Sequence, residues 1–173
     1  MATGASGGSV KIQVDDADVR KGLNASVEGS RVAMRQAFND AGALLQNAMR
    51  ARLERDRKVD TGGLRDSIRA IVADRRGRQF LEVGPDEAHA TQGAVIEMGR
   101  RAGAPMPPAG ALLPWMERHG IAAELEFVVR RNISERGTQP FPFAAPALDE
   151  NAAPLDALWA GVLDVIEHAW AKG

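Results

Sequence analysis

Asp60-Thr61-Gly62 is the triplet in this chain whose residue types suggest catalysis. Aspartic proteases carry it on a turn between apolar strands, where two such Asp residues share one proton across a symmetry axis. A homodimer of a short chain can supply both. Here the triplet follows Glu54-Arg-Asp-Arg-Lys58, a charged helix end, and Gly63 stands where a small hydroxyl or methyl side chain usually follows. Those surroundings favour a plain turn, in which Asp60 or Thr61 caps the next helical turn and the two glycines allow the reversal. The histidines, His89, His119 and His168, have no neighbour at a metal-binding spacing such as His-Glu-x-x-His. The Gly-x-Ser-x-Gly pattern occurs at Gly4-Ala5-Ser6-Gly7-Gly8, in the stretch read as a tail and not at a strand-to-helix elbow, and no phosphate-cradling loop is present. The chain has no Cys, which removes thiolate zinc sites, Cys nucleophiles and disulfides. The expectation is a protein without catalytic residues, metal or cofactor, and not an enzyme.

Charge is the second source of chemistry. The 173 residues carry a net charge of −1, unevenly spread. From Arg50 to Arg78 there are ten Lys/Arg against five Asp/Glu, and from Pro140 to Gly173 one Lys against five Asp/Glu. Two readings stay open: two solvated faces of one domain, or faces that match between identical subunits or turn toward DNA. Arg75 and Arg76 on one side, and Asp156 and Asp164 on the other, are the candidate interface residues. The arginine pairs Arg75-Arg76, Arg100-Arg101 and Arg130-Arg131 lack interleaved aromatics, so they suit phosphate contact better than base reading.

The elements that must position these groups follow from periodicity. Residues 1–9 read as a flexible tail, and residues 10–173 as a single domain. Val10-Lys-Ile-Gln-Val14 alternates like a strand, and a short helix follows to about Leu23. Ser30 caps a helix to about Leu53, with Met34, Phe38, Ala41, Leu45, Ala48 and Met49 on one stripe. Ile68–Ala73 and Gln79–Val83 make a hairpin, and Thr91–Met98 a short helix. Gly99–Gly110 is loop, Leu112–His119 a short helix, and Ala122–Arg136 a longer one with Leu125, Val128, Val129 and Ile133 on one face. A last helix runs from Pro146 into Lys172 and is kinked or split at Pro154. The sum is an α+β domain: a small, mainly antiparallel sheet packed with a long N-terminal helix and C-terminal helices. No apolar run reaches the roughly 18 residues a membrane span needs, so no membrane partner is expected. Nothing at the N-terminus resembles a secretory signal, so cytoplasmic synthesis is the default.

Three segments carry a family resemblance. They are Gly42–Leu53 leading into Val59–Ile68; Val83-Gly84-Pro85 followed by Ala94–Gly99; and Asn132–Gly137 followed by Gln139–Asn151. In this order they resemble the tail-completion, or head–tail joining, proteins of long-tailed (siphovirus-type) phages, the minor tail protein Z-like group. The resemblance spans roughly residues 30–152. It rests on Asp60, Thr61, Gly62, Leu64 and Ser67 in the first motif, Glu97 and Gly99 in the second, and Pro140, Phe141, Pro146 and Ala147 in the third. Met98 stands where the family often has an aromatic residue, and Phe143-Ala-Ala-Pro146 spreads the last motif. The resemblance implies a structural virion protein, made in the host cytoplasm and placed in the tail or neck. It implies a homo-oligomeric ring, hexameric in type, between a head connector or stopper and a tail terminator or tail-tube protein. DNA then passes through the ring and touches it non-specifically. A tail terminator, a head-side connector subunit, a retropepsin-like hydrolase using Asp60 and a free nucleic-acid-binding protein are the alternatives.

Overall fold

The computed structural model describes residues 17–171, except 57, 76 and 77. The 1–9 tail and the Val10–Val14 strand lie outside the described residues. A single helix, α1 (Ala17–Arg55), replaces the expected pair of helices. Ser30 therefore sits inside a helix and caps nothing. No proline interrupts that stretch, and the cost of Gly29, about 1 kcal/mol relative to Ala, does not stop a helix anchored downstream. Its buried stripe is Ala37, Ala41, Leu45, Met49 and Leu53, at strict four-residue spacing.

After α1 come a one-turn helix, α2 (Gly63–Ser67), and two antiparallel strands, β1 (Ile68–Arg75) and β2 (Arg78–Pro85). Ala70 pairs with Val83 and Val72 with Leu81, facing inward, while Ile71 and Phe80 alternate outward and are exposed. The hairpin lies directly on α1 because Gly42 has no side chain: a Cβ there would come within 2.8 Å of the Ala70 Cβ. The remaining helices are α3 (Ala90–Met98), α4 (Leu113–Arg118), α5 (Glu126–Arg136), α6 (Ala144–Glu150) and α7 (Ala152–Ala171), with a 3₁₀ turn at Ala123–Leu125.

The expected last helix is split, but at Asn151 rather than Pro154. Pro154 falls in the first turn of α7, where a missing N–H costs nothing. This helix runs back along α1: Trp159 meets the Phe38 ring edge-on at 5.1 Å, and Leu155 packs with Ala41 and Leu45. The main core joins Met49 and Leu53 of α1, Leu64 and Ile68 of the α2–β1 corner, and Phe143 and Ala147 of α6. The fold is α+β, as the periodicity indicates. The described sheet has two strands.

Residues 100–137 contribute nothing to either core cluster. The chain leaves the body at Gly99 and returns at Thr138, and these two ends are stitched together. Arg100 N donates to Thr138 O at 3.0 Å, and Thr138 N donates to Arg100 O at 2.9 Å. Gly99 and Gly137 flank this bridge, each with φ 71°. A Cβ on Gly137 would collide with the Arg100 carbonyl oxygen, and one on Gly99 would lie 2.5 Å from the Thr138 oxygen. Both positions need glycine on two counts, conformation and space. The excursion, called the arm below, holds α4 and α5. No residue of α5 is buried, and Leu125 and Val128, expected on its apolar face, are exposed.

Candidate functional site

The three motif segments, far apart in sequence, meet at the C-terminal end of α1. The first forms the corner. Gly62, at φ 88°, turns the chain, and Asp66 N closes α2 by donating to Gly62 O at 2.8 Å. Thr61 Oγ1 accepts only a long bond from Gly63 N, 3.4 Å. Leu64 enters the core, and the buried Ser67 donates its hydroxyl proton to Leu64 O at 2.7 Å. Arg50 of α1 donates to Ile68 O at 2.8 Å, fastening helix to hairpin.

Asp60 does not cap α2, contrary to the expectation. Its carboxylate reaches 58 residues along the chain to the Arg118 guanidinium, whose Nε lies 3.1 Å from both oxygens and whose Nη2 closes the fork. The hydrogen bond from Arg118 holds the Asp60 carboxyl below the usual carboxylate range.

The second and third motifs form an anchor. Glu97, near the end of α3, accepts backbone N–H bonds from Phe143 (2.7 Å), Ala144 (2.9 Å) and Ala145 (3.0 Å), so it caps α6 from another element. Burial pushes the Glu97 carboxyl up, but these three N–H groups and nearby Arg52 outweigh it and bring it below its ordinary value. Phe141 N donates to Ile96 O at 2.7 Å, and the Lys58 ammonium sits 4.6 Å over the Phe141 ring. Arg52 completes the join, donating to Pro142 O at 3.1 Å and to Glu150 at 2.6 Å. Pro140 is exposed, while Ala147 is packed into the core and Pro146 half-buried beside it.

Between corner, α3 and α4 lies a cleft of about 380 Å³. Asp60 is the only carboxylate lining it, and it is already paired. Opposite stand Trp115 and His119, whose rings stack at 4.5 Å. Among the described residues, this cleft thus holds no pair of carboxylates able to share a proton. The flanking elements are helices, not the apolar strands of an aspartic protease. A larger, apolar groove of about 860 Å³ continues from the cleft, between α3 and the arm. His89 lies 2.7 Å from Asp86 at the start of α3, and His168 Nδ1 2.8 Å from Asp164 O. Among the described residues, no group of three His, Cys, Asp or Glu could hold a metal ion, and no helix is long and apolar enough to cross a membrane.

No family model, curated protein or solved structure matches the chain. The candidate interface residues do not gather into one place. Asp156 and Asp164 are exposed on α7. Arg75 ends β1, and Arg76 lies outside the described residues. Much of the basic stretch around them is turned inward: Arg50 and Arg52 serve carbonyls, and Arg65 is paired with Glu54 and Asp66. Of the exposed cations on the arm, sequence reasoning singled out Arg101 and Arg131 but passed over Arg118 and Arg136. Arg118, Asp60's partner, carries no local signal at a separation of 58 residues.

Proposed function

We propose that this chain is a structural subunit of a long-tailed, phage-type particle. It assembles as a ring at the head-proximal end of the tail and joins the tail to the head connector, with DNA passing through the opening. The observation that carries this reading is the joint use of the three motif segments. Ser67, Glu97 and Ala147 hold the corner, the anchor and α6 together, Gly99 leaves room for the bridge at the base of the arm, and Asp60 ties the corner to Arg118 of the arm. A hydrolase reading needs these residues to converge on a cleft with a free reactive group, whereas their use in holding the frame supports a structural subunit.

The partners are further copies of the chain, a connector or stopper on the head side, and a terminator or tail-tube protein on the other. The virion is the location. Electron microscopy of particles assembled without this chain tests the reading: filled heads and separate tails are expected. Intact, joined particles would overturn it.

A further inference from the structure

We propose that the groove between α3, α4 and α5 is the receiving half of a subunit interface, and that the outer face of α7 from a second copy of this chain fills it. The proposal rests on the ring reading above and deepens it by naming both surfaces.

The groove is walled by Val95, Ile96, Leu112, Trp115, Val129 and Ile133, and none of the described residues fills its volume of about 860 Å³. Val95 and Trp115 each remain 38% exposed. An open apolar groove of this size marks a surface that is completed by a partner. Its rim is basic. From Gly99 to Gly137 the chain has six Arg against four Glu, and two of those glutamates are engaged locally, Glu126 by Gly110 N and Glu135 by Arg131. Arg101 and Arg136 are exposed, and among the described residues neither joins an ion pair. Arg136 stands three residues past Ile133, on the groove side of α5.

The opposite surface is on α7. Asp156, Ala160, Leu163 and Glu167 fall at i, i+4, i+7 and i+11, one stripe on the side away from α1, and all are exposed. Leu163 is 59% exposed, with Ala160 beside it one turn back to let a neighbour approach closely. Asp156, Asp164 and Glu167 border it, and residues 144–171 hold five carboxylates and no Lys or Arg. One large apolar side chain beside Ala160, edged with negative charge, fits an apolar groove whose α5 wall ends in Arg136. The two surfaces are different parts of one chain, so the contact is head-to-tail. Such contacts close into rings when the rotation permits.

The absence of Cys makes the test clean. The full chain carrying both Val95→Cys and Leu163→Cys, mildly oxidised, is run without reductant. A ladder of covalent multimers is expected from the double variant, with each single variant remaining monomeric on the gel. Light scattering of the unmodified chain runs alongside. An oligomer in solution without the ladder, or a disulfide dimer from Leu163→Cys alone, overturns this interface and leaves the ring reading standing. A chain that stays monomeric at every concentration overturns the ring reading itself, and this surface with it. As a second readout, Asp164→Arg with Glu167→Arg is expected to raise the concentration for half-assembly about tenfold. Adding Arg101→Glu and Arg136→Glu is expected to restore it. Weakening without rescue overturns the charge pairing.

Discussion

Glu97 is the residue on which most backbone depends, since three N–H groups of the α6 start end on its carboxylate. Replacing it by Ala strands those donors in a half-buried place, and a loss of about 1–3 kcal/mol is expected in denaturant unfolding. The pH dependence has a definite sign. Folding lowers the Glu97 carboxyl, so its contribution is complete above the ordinary carboxylate range and lost as pH falls through the lowered folded value. The Ala variant should therefore show a flatter acid limb of stability against pH than the parent. Asp60 behaves alike in sign but not in weight, because its ion pair with Arg118 is exposed. Asp60→Asn is expected to leave far-UV circular dichroism intact and to shift only the NMR signals of Trp115 and His119. A peptidase activity that disappears in this variant, with the fold intact, would contradict the structural role.

The elements divide into those legible from sequence and those that are not. The hairpin and α3 follow alternation and helical spacing closely, because their local patterns agree with what they pack against. Ser30 misleads, since a good N-cap residue caps only where the upstream chain leaves the helix, and here it does not. The α5 pattern misleads in another way: of the expected apolar face, Val129 and Ile133 line an open groove, and Leu125 and Val128 are exposed. Periodicity reports which side is apolar, not whether anything covers it. The motif residues were legible as a set, but their bonds were not, because Asp60–Arg118 and Glu97–Phe143 close over 58 and 46 residues. At this scale the clearest prediction concerns Gly137. With φ 71° and the Arg100 carbonyl in the place of its Cβ, Gly137→Ala is expected to cost about 1–3 kcal/mol. It should also raise hydrogen exchange at the Arg100 and Thr138 amides ahead of the rest of the chain.

For the molecule as a whole, α7 packs one side on α1 and offers the other, acidic side outward. Asp156→Lys with Asp164→Lys is expected to weaken assembly at low salt and to matter less at high salt, because exposed charges are screened over about 8–10 Å. Thermal unfolding of the subunit should barely change, and light scattering at two ionic strengths reads the assembly. The bridge between Arg100 and Thr138 has a consequence of a different kind. Because it brings both ends of a 37-residue detour side by side, the two chain ends the body presents keep their places whatever the length of what lies between. Closure entropy rises only slowly with loop length, about 0.6 kcal/mol per doubling, so insertions and deletions here are cheap. Residues 101–137 are in effect a cassette. Replacing them with a two-residue Asn-Gly turn should return a shorter protein with the same α1–hairpin–α7 body and both cores unchanged, as nothing in those cores comes from the detour. Lineages can then vary what the arm recognises while leaving the frame that carries it untouched.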